Sequence, residues 1–243
     1  MRGPVVKTIA FFSAAATGLA VYGNAVLGDA GPCHSMQYER AAYTVCEVDL
    51  RRHTIRLYWN RPDGTPYAYL SALPRNLENG AGKLLFGTNA GMFGSKLRPV
   101  GLYVQQGQEL VHASTKPGKG NFHMRPNGIF YTSAGHAAVV ETQSFLKQRP
   151  RADLATQSGP MLVIEGRLHP LFKRGSTSLK LRTGVGVRAD GEVIFAISQE
   201  AVSFDSFACL FCDGERCLMR CFLMEGVLRL QQCRPDLHCR SPQ

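Results

Sequence analysis

Four short clusters rich in Asn, Gly, Gln and Ser contain the residues of this sequence that are best suited to ligand binding. They span residues 88–93, 120–128, 155–160 and 182–187. Glycine lets the backbone approach a ligand closely, and Asn, Gln and Ser side chains supply hydrogen-bond donors and acceptors. Ordinary turn chemistry accounts for any one such cluster. Four of them in one chain favour a site for a polar, oxygen-rich ligand.

Charged and titratable side chains near these clusters extend the chemistry that they can support. His123 can exchange a proton near neutral pH, although a single histidine in a loop also fits a structural role. The nearby cations are Lys119, Arg125 and Arg182. The carboxylates available for acid, base or nucleophilic work are Glu141, Asp153, Glu200 and Asp205, and none stands in a distinctive motif.

Alternation of apolar and polar residues predicts a chain dominated by strands. The period-2 pattern over residues 43–49 and 53–59, with turn residues at 61–66, predicts an opening hairpin. Helical spacing is confined to three segments, residues 71–79, 143–148 and 203–211. The further predicted strands are residues 83–89, 100–105, 128–132, 137–142, 160–165, 184–188 and 193–198. These elements indicate an α+β fold with mixed, strand-rich sheets and a few peripheral helices, in a single domain over residues 31–211.

Composition and charge narrow the class of protein. A chain of 243 residues that is 44% hydrophobic and 19% charged can bury a sizeable core, which argues against a disordered or fibrous protein. The net charge of +10 favours anionic partners. We expect no nucleic-acid partner, because the basic residues lack the interleaved aromatic side chains of a stacking platform. These residues are Lys147, Arg149, Arg151, Lys173, Arg174 and Lys180.

The first 30 residues have the pattern of a secretory signal peptide. Arg2 and Lys7 precede an apolar run over residues 8–21, and small residues follow it. That run is shorter than the roughly 20 residues of a bilayer span. We therefore expect a periplasmic or secreted protein with no membrane span after cleavage. The alternative is the N-terminal helix of a cytosolic domain.

Two cysteines follow this segment. In an oxidising compartment Cys33 and Cys46 would form a disulfide that closes a short loop and restricts the unfolded chain. The alternative is two buried thiols.

The polar clusters resemble, in order, the motifs of the bacterial phosphodiester glycosidase domain. The matching segments are Asn89-Ala-Gly-Met-Phe, Asn127-Gly-Ile-Phe-Tyr, Gln157-Ser-Gly-Pro with Gly166, and Arg182-Thr-Gly-Val-Gly-Val. The animal relative of this family is the lysosomal uncovering enzyme, which removes N-acetylglucosamine from a sugar phosphodiester. The resemblance covers residues 43–211, and the order of four motifs makes it specific.

The resemblance implies hydrolysis of the glycosidic bond of a sugar-1-phosphodiester, or binding of another anionic glycan. A phosphate leaving group is already stable as an anion, so cations and backbone donors matter more than a strong general acid. Arg182 would hold the phosphate, with His123 and Glu141 as acid or base. The substrate-binding set that the resemblance implies is Asn89, Gly91, Asn127, Gly128, Gln157, Ser158 and Gly159. Loop capping is the alternative role for each of these residues.

The resemblance ends where the family has its catalytic aspartate. The expected Asp lies in a Leu-Asp-Gly-Gly-like segment shortly after the helix at 203–211, and this chain has a cysteine-rich run there. We then consider the reading frame that starts each codon at the third base of the present one. In that frame, Met219 followed by Arg220 encodes Ala if the Arg codon is of the CGN type. Met224 followed by Glu225 encodes Gly. The neighbouring codons permit Leu-Asp-Gly-Gly. We therefore interpret residues 212–243 as an aberrant, frame-displaced tail with poor order.

The cysteine-rich run has two other interpretations, a zinc site or a disulfide framework. The thiols concerned are Cys209, Cys212, Cys217, Cys221, Cys233 and Cys239. Their spacing is irregular, and we expect no metal and no cofactor.

Two functions are consistent with these observations. The first is an exported phosphodiester glycosidase-like protein whose activity the loss of the Asp-Gly-Gly motif puts in question. The second is a non-catalytic envelope protein that binds anionic glycans or phosphate polymers.

Overall fold

Fifteen strands and two short α-helices make up most of the regular structure in the part of the chain that the structure describes. A computed structural model describes residues 18–23, 31–75, 82–214 and 221–224. The helices are α1 (Thr142–Gln148) and α2 (Phe204–Cys209), and a π-helical turn, Leu210–Gly214, extends α2. The strands are β1 (Gly18–Gly23), β2 (Cys33–Tyr38), β3 (Ala41–Val48), β4 (His53–Tyr58), β5 (Lys83–Asn89), β6 (Tyr103–Gln105), β7 (Gln108–Val111), β8 (Gly128–Ser133), β9 (His136–Glu141), β10 (Leu154–Ser158), β11 (Met161–Ile164), β12 (Arg167–Leu168), β13 (Thr183–Val187), β14 (Val193–Ser198) and β15 (Cys221–Met224). This strand-rich, single-domain α+β fold confirms the predicted fold class.

The largest sheet has seven strands in the order β12-β11-β15-β13-β14-β3-β2. Strands β13 and β14 are buried along their whole length, as their continuous apolar and small residues predict for strands covered on both faces. On one face, Phe207 and Phe211 at the C-terminal helical segment pack against Tyr43 and Ile194. On the other, Phe195 meets Phe86 and Phe130 edge to face. The aromatic contacts join this sheet to the two smaller ones.

The second sheet has five strands in the order β7-β6-β10-β8-β9, with α1 against it. Strand β10 is at its centre and is buried at all five positions. Its antiparallel pairing with β8 places Ser158 opposite Gly128. The ends of two predicted polar clusters are therefore adjacent across one ladder.

The third sheet has three strands in the order β4-β1-β5. Its central strand, β1, comes from the apolar run that the sequence assigns to a signal peptide. Leu19, Ala20, Val21 and Tyr22 are fully buried. The Tyr22 hydroxyl donates to the carbonyl of Pro74 at 2.8 Å, and burial raises the pKa of this phenol. An apolar run that is buried on both faces has no alternation to mark it as a strand.

Two local predictions are wrong. Strands β3 and β4 do not form a hairpin, since β3 pairs with β14 and β2 while β4 pairs with β1. The turn at 61–66 is present, with Gly64 N donating to Arg61 O, but it follows β4. The predicted helix at 71–79 is replaced at its start by a single 3-10 turn, Leu70–Ala72, and residues 76–79 lie outside the described residues.

A disulfide joins Cys33 to Cys46, which face each other across β2 and β3. In the predicted tail, β15 pairs with both β11 and β13, so the large sheet has no open edge at that position. The tail prediction otherwise falls on residues 215–220 and 225–243, which lie outside the described residues. Among the described residues, no helix has the length and apolar character needed to cross a membrane.

Candidate functional site

The polar clusters of β5, β8 and β10 converge at the end of β10. Gly91, just beyond β5, lies against β10 so closely that a Cβ there would overlap Thr156 Oγ1 and come within 2.6 Å of Gln157 O. Only glycine permits this approach without a shift of the β10 backbone. Asn89, the last residue of β5, is fully buried, and its Oδ1 accepts a hydrogen bond from Thr88 Oγ1 at 3.3 Å.

The segment before β8 closes over the same point. Asn127 Nδ2 donates to Phe122 O at 2.9 Å, which folds the 3-10 turn Asn121–His123 back onto Asn127. Gly159 fits against this turn, since a Cβ there would lie 2.8 Å from Phe122 O and 2.9 Å from Asn127 Cβ. The amide oxygen Oδ1 of Asn127 accepts no hydrogen bond from any described residue.

Ser158 is the unusual residue of this cluster. Its side chain is fully buried, and its Oγ has no hydrogen-bond partner among the residues that the structure describes. A buried hydroxyl that is left unpaired costs about 1–3 kcal/mol, and most such groups in native proteins bond to water or to a ligand. Ser158 Oγ and Asn127 Oδ1 thus both have unused hydrogen-bonding capacity within the described residues, at the paired ends of β10 and β8.

Gln157 has a different role from the ligand contact that we expected. Its Oε1 accepts from Leu102 N at 3.0 Å and from Ser114 N at 2.8 Å. Its Nε2 donates to Ser114 O at 2.8 Å and to Thr142 Oγ1 at 3.2 Å. These bonds use the whole hydrogen-bonding capacity of the amide. Gln157 thus holds β10 against two loops and presents no free group to a ligand.

Arg182 is 4% exposed and is held at the start of β13. Its Nε donates to Val202 O at 2.9 Å, and its Nη2 donates to Ser178 O at 3.1 Å. The guanidinium also stacks on the ring of Phe204, 3.6 Å from the centroid. The edge formed by Nε and Nη2 is therefore occupied by backbone carbonyls. The two-donor fork that we expected on a phosphate is not available on that edge.

A stack of side chains connects Arg182 to the polar cluster. Phe204 stacks on Phe172 at 5.0 Å between ring centroids, and Phe172 stacks on His169 at 4.9 Å. His169 Nε2 lies 3.0 Å from Arg125 O, which is two residues before Asn127. This arrangement fixes the base of the 170–181 loop to the segment that carries Asn127.

His169 is a residue that the sequence analysis missed. It is 1% exposed, and its Nδ1 accepts from Leu171 N at 3.2 Å, so Nε2 carries the proton that is donated to Arg125 O. Burial lowers the pKa of this imidazole, and the hydrogen bond to Arg125 opposes that shift. The ring is therefore neutral at physiological pH. Its position between Leu168 and Pro170 gave no ligand-like spacing to reveal it.

The predicted acid and base residues are engaged in structural bonds. His123 is half-buried, and its Nδ1 lies 3.0 Å from Lys116 O. Glu141 caps α1 by accepting from Ser144 N at 2.9 Å. Arg125 Nη2 donates to Thr115 O. His123 lies near the polar cluster because its neighbour Phe122 accepts the hydrogen bond from Asn127. Glu141 lies beside β8, but its role there is to cap α1.

Two of the other candidate carboxylates also accept from backbone amides, and the third lies at a helix start. Asp153 accepts from Ala134 N at 2.9 Å, and Glu200 accepts from Ala42 N at 2.7 Å. Asp205 lies in the first turn of α2, where a negative charge is favourable. Each of these three carboxylates therefore has a structural role, and no catalytic role is needed to explain its position.

The described residues include no group of three or more His, Cys, Asp or Glu side chains that could hold a metal ion. Cys209 and Cys212 are half-buried thiols, and Cys212 Sγ donates to Gly166 O at 3.6 Å. Of the other thiols that the zinc alternative draws on, Cys217 and Cys239 lie outside the described residues, and Cys221 is in β15.

Comparison with known proteins gives consistent results for sequence and fold. The model of the phosphodiester glycosidase family matches residues 82–213. The uncharacterized protein YigE of Escherichia coli (strain K12) is 34% identical over 168 residues, which cover 69% of this chain and 64% of that protein. This chain thus aligns with somewhat less than two thirds of the length of the relative.

A solved structure has a similar fold. It is the zebrafish N-acetylglucosamine-1-phosphodiester alpha-N-acetylglucosaminidase catalytic domain, auto-inhibited by its pro-peptide. The TM-score is 0.52 with 13% sequence identity, over 87% of this chain and 71% of the zebrafish chain. At this identity the similarity applies to the fold alone.

Proposed function

The chain belongs to the phosphodiester glycosidase family, and we propose that its polar cluster at the ends of β5, β8 and β10 binds a sugar-1-phosphodiester. The observation that carries this proposal is the buried Ser158 hydroxyl, which has no partner among the described residues. Ser158 pairs with Gly128, the neighbour of Asn127, whose amide is fixed by its bond to Phe122 O. A sugar hydroxyl or a phosphodiester oxygen can accept from Ser158 Oγ, and a sugar hydroxyl can donate to Asn127 Oδ1.

The proposed reaction of this site is hydrolysis of the glycosidic C–O bond, with phosphate as the leaving group. Water supplies the hydroxyl that replaces phosphate at the anomeric carbon, and the phosphate monoester leaves with the bonding pair. The leaving group is stable as an anion, so placed hydrogen-bond donors contribute more than a strong acid. In this proposal Asn89, Asn127 and Ser158 orient the sugar. Gly91, Gly128 and Gly159 do not make room for it as we expected, because each packs closely against protein atoms and so allows the segments that carry these residues to approach one another.

In this proposal Arg182 contributes through the position of its buried positive charge. Its charge is buried at the start of β13, and the stack of Phe204, Phe172 and His169 links it to Asn127. The acid that the family motif supplies would lie near it. Strand β15 ends at Met224, which pairs with Thr183, the neighbour of Arg182. In the displaced frame the Asp codon overlaps Leu223 and Met224, so we propose that this aspartate lies at the same end of β15.

The hydrogen bonds of the described carboxylates support a second candidate function for this chain in its present reading frame. Glu141, Asp153 and Glu200 each already accept a hydrogen bond from a backbone amide. We propose that this chain binds the sugar phosphodiester, or a related anionic glycan, without turnover. The chain with the restored frame is then the hydrolase.

The proposed location is the periplasm or the extracellular space. The Cys33–Cys46 disulfide supports it, because structural disulfides persist mainly in oxidising compartments.

The experiment is a comparison of two proteins, this chain and a version whose frame is restored after Asp213. Sugar release from a synthetic N-acetylglucosamine-1-phosphodiester is measured for both, and binding of the same compound is measured by calorimetry. We expect binding by both and release by the restored version only. Binding without release by both versions would favour the non-catalytic candidate, and absence of binding by both would contradict the site itself.

A further inference from the structure

The loop of residues 170–181 exposes an unusual concentration of apolar surface. Leu171, Leu179 and Leu181 are 62%, 50% and 40% exposed. Seven large hydrophobic side chains are at least 36% exposed among the described residues, and these are three of them. Single exposed leucines are normal, whereas several in one short loop indicate a contact surface.

The same loop is strongly basic. Lys173, Arg174 and Lys180 are exposed, and no Asp or Glu occurs between Glu165 and Asp190. The loop therefore has uncompensated positive charge next to its leucines. Apolar tips flanked by Lys and Arg are the combination that binds the interface of an anionic bilayer, where acyl chains take the apolar groups and headgroups take the charges.

The base of the loop is rigidly held. Lys180 forms an antiparallel bridge with Val202, and Arg182 Nη2 donates to Ser178 O at 3.1 Å. Phe172 turns inward and stacks on Phe204 at 5.0 Å. A loop that is already ordered loses little conformational entropy when it binds a surface.

We propose that the 170–181 loop docks this protein on the surface of an anionic lipid bilayer. Leu171, Leu179 and Leu181 enter the boundary of the acyl chains, and Lys173, Arg174 and Lys180 contact the headgroups. This docking is peripheral and involves no span. It does not depend on the proposed hydrolysis, because none of these six side chains belongs to the polar cluster.

The chemistry of the loop favours a bilayer over nucleic acid. The one aromatic residue of the loop, Phe172, is half-buried in the stack, so it offers no platform for bases. Isolated phosphate would satisfy the cations but would leave the three leucines exposed to water. Only a surface with both anionic and apolar layers covers the whole loop.

The test is flotation of the full chain with vesicles of phosphatidylcholine, with or without phosphatidylglycerol. Three cations near a charged surface predict partitioning roughly a hundredfold tighter onto the anionic vesicles. The variant L171S/L179S/L181S should lose at least tenfold of this binding. The variant K173Q/R174Q/K180Q should lose the preference for anionic lipid.

Matched variants elsewhere on the surface separate the loop from general charge and hydrophobicity. L110S/L146S removes two other exposed leucines, and K147Q/R149Q/R151Q removes an equal charge. Both should bind vesicles within about threefold of the parent chain. All six side chains of the loop are exposed, so thermal unfolding of its variants should match the parent.

Several outcomes would overturn the proposal. The first is equal partitioning onto neutral and anionic vesicles. The second is an equal loss of vesicle binding in the loop variants and in their matched controls. The third is a stronger loss of vesicle binding in millimolar inorganic phosphate than in sodium chloride of equal ionic strength. Binding of an oligonucleotide that depends on the same six residues, without vesicle binding, would assign the loop to nucleic acid instead.

Discussion

At the residue scale, the site depends on which polar groups are satisfied within the protein. Gln157 and Ser158 are neighbours and both are fully buried, yet within the described residues the side chain of Gln157 makes four hydrogen bonds and that of Ser158 makes none. Sequence reasoning placed both in the same ligand-binding set. The structure separates them, because only the residue with unused bonding capacity can bind a ligand without the loss of an existing bond.

Replacement of Ser158 by Ala should not destabilise the fold and should raise the free energy of unfolding by up to about 1–3 kcal/mol, because it removes a buried hydroxyl that has no partner among the described residues. The same change should weaken binding of the sugar phosphodiester about fivefold to tenfold, which calorimetry measures.

Ser198→Ala is the matched control. Its buried Oγ accepts from Arg182 N at 2.8 Å, so its loss should destabilise the fold by about 1–2 kcal/mol. Urea unfolding compares the two variants. A Ser158→Ala protein as destabilised as Ser198→Ala would show that Ser158 is satisfied within the fold.

His169 predicts a dependence of stability on pH. Burial lowers its pKa in the folded state, so the unfolded chain binds the proton at higher pH, near 6.5. The stability that the neutral ring contributes is therefore full above about pH 6.5 and is lost as the pH falls below that value. His169→Gln should show a smaller loss of unfolding free energy between pH 7 and pH 5 than the parent chain. A slope in His169→Gln equal to that of the parent would contradict the assignment.

At the element scale, position in a sheet matters more than local pattern. Strands β13 and β14 could be predicted from their apolar runs, and β5 from its end in Asn89. The pairing of β3 and β4 could not, because the period-2 pattern reports which faces are buried and not which strand lies alongside. Strand β1 was missed for a related reason: six apolar or small residues fit a leader as well as a central strand.

Strand β1 predicts a measurable dependence of the fold on residues 18–23. It pairs along its length with both β4 and β5, and these two strands make no pairing with each other within the described sheets. A charge at Val21, which is fully buried, should destabilise the fold by more than about 3 kcal/mol in Val21→Asp.

The exposed Val100 provides the control, and Val100→Asp should stay within about 1 kcal/mol of the parent in urea unfolding. Equal effects of the two variants would mean that β1 does not contribute to the folded state. The same strand bears on the predicted signal peptide, because cleavage after residue 24 or 30 would remove the centre of this sheet.

At the scale of the whole molecule, two sheets bring together polar clusters that are far apart in sequence. Asn89, Asn127 and Ser158 come from three strands or their approaches. Gly91 allows the end of β5 to pack against β10, and Gly159 allows the end of β10 to pack against Asn127 and the turn before it. The sequence motifs identified these residues because each motif lies at the end of a strand, where polar and glycine residues interrupt the apolar pattern. They did not reveal His169, Phe172 and Phe204, whose stack connects the cluster to Arg182 and arises only from tertiary packing.

Sugar release by the frame-restored protein is the most direct measurement of the central claim, that this fold carries a phosphodiester glycosidase site. The restored protein should release N-acetylglucosamine from its 1-phosphodiester. Replacement of Asn127 by Ala, or of the aspartate in the restored Asp-Gly-Gly segment by asparagine, should lower kcat/KM by at least tenfold. A restored protein that folds, yet releases no sugar or releases it equally well with Asn127→Ala, would contradict the account.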